Sequence, residues 1–300
     1  MESGDKEVKL MDKDEVGDDA AGVIVKSDIE ELVENSPLLT RAVDQVLRRE
    51  FDAETLEEVA EYSHEGDFGE RIARSGLSVE LFRVLLNRDY AAENRELCAR
   101  IVGATFKNNP DSQKLLFDVV GGDGKVVSKL LDALKAETDD KMKSRLLYVV
   151  GSLMTHQRGM DEFIEQNGNS FLRDIFAKGS SSLRSKCLIF VWDHILHSPV
   201  TQDSKWYKDE IAYWSEALQN ALTTGKGDLN REMFETLVKI TELDGQLPIK
   251  KEFLKWLSKK SDEGLKKRNR DDEFYQLVRQ ARHTVFGNPN AERKHNAEEL

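Results

Sequence analysis

Most of what a catalytic or membrane-spanning chain would need is missing from this sequence. Its 300 residues include 2 cysteines and 5 prolines, no Asn-X-Ser/Thr sequon, and no apolar run near the roughly 18 residues of a membrane helix. Cys98 and Cys187 both fall on apolar helix stripes, so they read as buried free thiols rather than a disulfide or a nucleophile. Gly121-Gly122-Asp123-Gly124-Lys125 suggests a phosphate loop, but Val119 and Val126 stand where that motif requires Gly and Ser or Thr, and a turn between helices is expected instead. His194 and His197 have helical spacing for a shared metal without a third ligand beside them. Cys187, two turns before His194, has nothing to orient a thiol–base pair. There is no nucleophile elbow and no dinucleotide-binding glycine run. The expectation is a protein that is not an enzyme and holds no cofactor or metal.

Positive charge is also short. The net charge is −12 in a chain that is 33% charged and 39% hydrophobic. An acidic average surface argues against a duplex nucleic-acid binder, which must neutralise phosphates with Lys and Arg. Basic runs such as Lys266-Lys267-Arg268 read as solvated helix faces. Neither nucleic acid nor membrane insertion is expected, and the protein is expected to be a monomer.

Helical periodicity, in contrast, is abundant. In residues 94–118, Leu97, Cys98, Ile101, Val102 and Thr105 recur at three- and four-residue spacing on one stripe. Lys107, Asn108 and Asn109 end that helix, and Pro110 suits the first turn of the next. The pattern then repeats. With Gly103 placed on Gly151, Cys98, Ile101, Val102 and Thr105 fall on Leu146, Val149, Val150 and Leu153. With Ser144 placed on Ser185, Leu146, Leu147 and Val150 fall on Cys187, Leu188 and Val191. A long helix, a polar break and two shorter helices recurring at roughly 40–50 residues is the period of armadillo or HEAT-like solenoids, whose units hide their apolar stripes by stacking. The fold class expected is therefore an all-α armadillo/HEAT-like helical-repeat solenoid with degenerate capping helices at its ends.

Taken in order, residues 1–27 are acidic and poor in aromatics, the composition of a tail that does not fold alone. Residues 28–285 form the repeat domain. Within it, 52–90 carry three short helices as a degenerate first unit, clear units occupy about 94–137 and 139–178, and a third runs from about 181 to 223. Helices over 229–243 and 250–259 and one beyond Gly264 follow, and residues 286–300 form a C-terminal tail opening on Phe-Gly-Asn-Pro. In such a stack the last helix of each unit lines the concave side. The outward positions there give the candidate partner-binding residues Arg100, Lys107, Asn108, Lys143, Tyr148, Ser152, His156 and Trp192, with Tyr148 and Trp192 favoured because large aromatics on open faces anchor interfaces.

The stretches A-R-I-V-G-A at 99–104, N-N-P-x-x-Q at 108–113, K-S-R-L-L-Y at 143–148 and R-S-K at 184–186 resemble the armadillo-type nucleotide exchange factors of seventy-kilodalton heat-shock chaperones. LEEVAEYSHEGDFGERIA at 56–73 and ARHTVFGNPNAERKHNAEEL at 281–300 narrow the resemblance to the endoplasmic-reticulum branch, the SIL-one family, in its fungal form. The resemblance implies a concave face that clasps one lobe of the ATPase domain of the lumenal chaperone BiP and promotes ADP release, supporting protein translocation and folding. It also implies residence in the endoplasmic-reticulum lumen, although MESGDKEVKL is no signal peptide and resembles a segment inside the precursor. Ala297-Glu298-Glu299-Leu300 keeps only the Glu-Leu ending of a retention signal. The alternative is an armadillo adaptor that holds an extended peptide in its groove with no effect on nucleotide, a role for which Asn108 is suited.

Overall fold

Short polar side chains start about half of the helices, and apolar stripes bury them. A computed structural model describes residues 36–107, 109–120, 125–197, 204–225, 229–266 and 273–287. Among them α1 (Pro37–Arg48) begins at Ser36, whose hydroxyl accepts from the Leu39 amide at 3.3 Å. The three helices expected over 52–90 are α2 (Ala53–Tyr62), α3 (Gly66–Arg74) and α4 (Leu77–Leu86). The Asp52 carboxylate caps α2 by accepting from the Thr55 amide at 3.2 Å. Two full units follow, α5 (Ala92–Phe106), α6 (Pro110–Val119) and α7 (Val126–Ala136), then α8 (Asp140–Leu153), α9 (Gln157–Glu165) and α10 (Gly168–Lys178). Asn109 caps α6 at the Ser112 amide, 3.1 Å, with Pro110 at its first position.

The third unit departs from the expected pattern. α11 (Ser181–Phe190) runs directly into a π-helical turn, Val191–Leu196, and a single helix, α12 (Lys205–Thr224), replaces the two shorter ones. The π-turn is closed by the His197 amide donating to the Trp192 carbonyl at 3.2 Å. α13 (Asn230–Leu243), α14 (Lys251–Lys266) and α15 (Glu273–Thr284) complete the chain, and no strand occurs among the described residues. The acidic segment at 1–27 and the glycine loop at 121–124 lie outside the described residues.

The leading helices form a ladder in which α2 packs on α5, α5 on α8, α8 on α11 and α11 on α13, so that one core runs the length of the stack. α5 is buried more completely than a single stripe requires, with every residue from Arg95 to Phe106 except Arg100 out of solvent. Its two buried charges are therefore paired. Arg95 donates to the Leu85 carbonyl at 3.1 Å and to Glu137 at 3.3 Å, while Glu96 accepts from Arg145 at 2.5 Å and meets Lys141 at 3.5 Å. Gln113 ties unit to unit, its amide donating to the Phe106 carbonyl (2.8 Å), the Ser152 carbonyl (2.7 Å) and the Thr155 hydroxyl (2.9 Å). At the far end, Phe286 packs into a cluster with Phe234 and Phe253, so the closing segment caps the last unit.

Candidate partner-binding groove

Helical spacing gives each rung of the ladder one open strip, and the strips of neighbouring rungs meet in a groove of about 440 Å³. His64, just past α2, stands at one end. Arg100 and Lys107 come from α5 and its C-terminus, Ser144, Arg145, Tyr148 and Ser152 from α8, and Lys186, Ile189, Asp193 and His194 from α11 and the π-turn, so the leading helix of each unit lines the groove and not the last helix as expected.

Two glycines let the rungs approach. The Tyr148 ring packs on Gly103, where an added Cβ would be 2.4 Å from two ring carbons. One unit later the His194 ring lies on Gly151, its Nε2 2.6 Å from where a Cβ would stand. On the next rung Trp192 receives Lys239 of α13, whose Nζ is 3.9 Å from the ring centroid. Tyr148 is half-buried, with the Lys107 ammonium 5.9 Å above its ring and its hydroxyl pKa raised by burial. His194 packs on Phe190 at 5.0 Å, and burial drives its pKa down to about 4 against the opposing pull of Asp193, so it is a neutral wall of the groove at physiological pH.

The groove is cationic. Arg100, Lys107, Arg145 and Lys186 line it with Asp193 the single carboxylate among the lining residues. Arg145 is held by Glu96, but Arg100, Lys107 and Lys186 make no ion pair among the described residues. Ile189 adds an apolar contact, 49% exposed in a chain whose large aliphatic side chains are mostly hidden.

The candidate residues divide accordingly. Arg100, Lys107, Tyr148 and Ser152 come together in the groove, Ser152 as a buried wall whose hydroxyl donates to the Val149 carbonyl at 2.8 Å. Trp192 is not among the lining residues; it is half-buried, edge-on to His197 at 3.7 Å. Lys143 does not join them. Five residues from Tyr148, it is turned about 140° around α8 and faces a separate depression with Asp140, Phe171 and Lys178. Nor does His156, which lies beyond the end of α8, caps α9 by accepting from the Arg158 amide at 3.2 Å, and stacks on Phe117 at 4.8 Å. Asn108 lies outside the described residues. Arg145, Lys186, Ile189 and His194 were missed as groove residues. The repeat register contained one of these four signals: with Gly103 on Gly151, Arg100 falls on Tyr148, and with Ser144 on Ser185, Tyr148 falls on Ile189.

Elsewhere the chemistry is structural. Cys98 and Cys187 are fully buried free thiols whose pKa values burial raises to about 12. Among the described residues no cluster of three or more His, Cys, Asp or Glu could hold a metal, and no helix is long and apolar enough to cross a membrane.

Among the described residues the stacked helical units of a solenoid carry an open, cationic groove with Tyr148 across consecutive units. The family model described as "Nucleotide exchange factor SIL1" matches residues 41–300, and the chain belongs to that family. The chain is 26% identical over 261 residues to nucleotide exchange factor SIL1 of Candida albicans, and 27% identical over 267 residues to that of Debaryomyces hansenii. Each alignment covers 82% of this chain and 61% of the relative. The counterpart in Kluyveromyces lactis is 26% identical over 257 residues, 79% of this chain and 50% of that protein. The chain thus spans about three fifths or less of the length of these curated relatives. A solved structure of an engineered protein aligns with TM-score 0.40 at 14% identity, covering 84% of this chain and 67% of that one, too remote to bear on the fold.

Proposed function

We propose that this chain is a nucleotide exchange factor for the Hsp-seventy chaperone of the endoplasmic-reticulum lumen, BiP, and that its groove grips the chaperone's ATPase domain and speeds ADP release. The observation that carries the reading is the groove itself, which sets Arg100, Lys107 and Lys186, without an ion pair among the described residues, around exposed Ile189 and half-buried Tyr148 in a chain of family-level likeness to named exchange factors. Such a surface fits a folded lobe with carboxylates around an apolar spot.

No catalytic group is required. An exchange factor works by binding the open, nucleotide-poor state of its partner more tightly than the closed one, and its effect equals that difference in affinity. Reciprocity then requires nucleotide to release the factor. The test is binding of this chain to purified BiP ATPase domain, with and without saturating ATP. Tight binding without nucleotide that ATP weakens at least tenfold supports the proposal. Equal binding in both conditions overturns it, and selective capture of extended peptides would favour the adaptor.

A further inference from the structure

The groove is a cationic surface on an acidic protein, and the acid is unevenly spread. Residues 1–35 hold twelve acidic side chains and four basic ones, so eight of the twelve net negative charges of the whole chain lie before α1. Eight of the twelve acids fall between Glu2 and Asp19, in Glu2, Asp5, Glu7, Asp12, Asp14, Glu15, Asp18 and Asp19. This segment joins the fold at Pro37, at the start of α1, and α1 packs on α2, which packs on the groove helix α5. At full extension 35 residues reach roughly 115 Å, against about 21 Å for the length of α8, so the acids can reach every cation of the groove.

We infer that the N-terminal acidic segment of this chain, residues 2–19 above all, docks in its own cationic groove and occupies the surface that Arg100, Lys107, Lys186 and Ile189 present. Three cations without an ion pair among the described residues supply the complementary charge, and Ile189 and Tyr148 offer apolar contact to side chains such as Val8, Leu10 and Met11 in the same segment. A tethered ligand acts at an effective concentration on the order of millimolar, so weak charge pairing is enough to fill the site part of the time. Any partner must then displace the segment, and its apparent affinity falls by the fraction of time the groove is filled. The inference rests on the chemistry of the groove and not on the identity of the partner.

Zero-length carbodiimide cross-linking of the full chain tests it without any chaperone present, so its outcome is separate from that of the exchange reading. The carboxylates of residues 2–19 are expected to cross-link to Lys107 and Lys186 well above exposed Lys135 and Lys205, within one chain in a mixture of light and heavy isotope-labelled protein. The yield at Lys107 and Lys186 should fall roughly fivefold between about 0.05 M and 0.5 M salt as screening shortens the range of the attraction. Arg100→Glu, which removes neither cross-linking lysine, should lower it similarly while the circular dichroism spectrum stays helical. Equal cross-linking to Lys135 and Lys205, yields insensitive to salt and to Arg100→Glu, or links only between different copies would overturn the inference.

Discussion

Gly103→Ala should change sign according to what stands opposite it. In a helix interior an Ala is worth about 1 kcal/mol more than a Gly, because the glycine backbone loses more freedom on folding. Here the new methyl carbon would lie 2.4 Å from Cδ1 and Cε1 of Tyr148, far inside contact distance. Overpacking of this kind costs about 1–3 kcal/mol. The single variant is therefore expected to be destabilised by a net of about 0–2 kcal/mol, with Tyr148 tilted into the groove. In a Tyr148→Ala background the clash is gone, since the three nearest atoms to the added Cβ all belong to Tyr148. Gly103→Ala should then stabilise by about 1 kcal/mol, giving a coupling of about 1–3 kcal/mol between the two positions. Urea unfolding of the four proteins, followed by helical circular dichroism, measures the cycle. If Gly103→Ala stabilises equally in both backgrounds, the ring does not rest on the glycine and the account of how the rungs pack is wrong.

Three further outcomes follow from the same geometry. His194 is held near pKa 4 in the fold against the usual 6.5, so the unfolded chain takes up a proton that the fold refuses; its contribution is present above pH 6.5 and is lost as pH falls towards 4, by about 3 kcal/mol. Denaturation midpoints between pH 7 and 4 should fall less steeply in His194→Gln than in the parent. Gln113→Leu takes the side-chain donor from the Ser152 carbonyl and leaves the Phe106 carbonyl only the Asn109 amide at 3.3 Å, and should cost about 1–3 kcal/mol in thermal or urea unfolding. Neither Cys98 nor Cys187 should react with a thiol reagent such as Ellman's in the native state, and both should react once the chain is unfolded.

The architecture was readable in the sequence where chemistry punctuates it. Asp52, Asn109-Pro110 and Gly76 mark helix ends by their own capping and backbone preferences, and all three elements of 52–90 stand where those residues predict them. On α5 the stripe Leu97–Thr105 identified the helix but understated its burial, and Arg95 and Glu96 read as surface charges until their partners on other units are known. The π-turn at 191–196 carries no local signal, being a choice of hydrogen-bond register rather than of residue type. The groove was half legible for a related reason. Tyr148, Arg100 and Lys107 sit on the open strip, but Lys143 is on another side of the same helix and His156 is past its end. Carrying the repeat register through would have added Ile189, which falls on Tyr148 one unit on, since equivalent positions of stacked units face the same way.

The central claim is that this groove promotes nucleotide release from its chaperone. The most direct measurement is the release rate of a fluorescent ADP analogue from purified BiP, alone, with this chain, and with the Arg100→Glu/Lys186→Glu variant, which reverses half-buried Arg100 and exposed Lys186 of the groove. The account predicts clear acceleration by the parent chain and a loss of at least tenfold in the variant, as expected when charges opposed across an interface are reversed. No acceleration by the folded parent, or acceleration that the double charge reversal leaves intact, would contradict it.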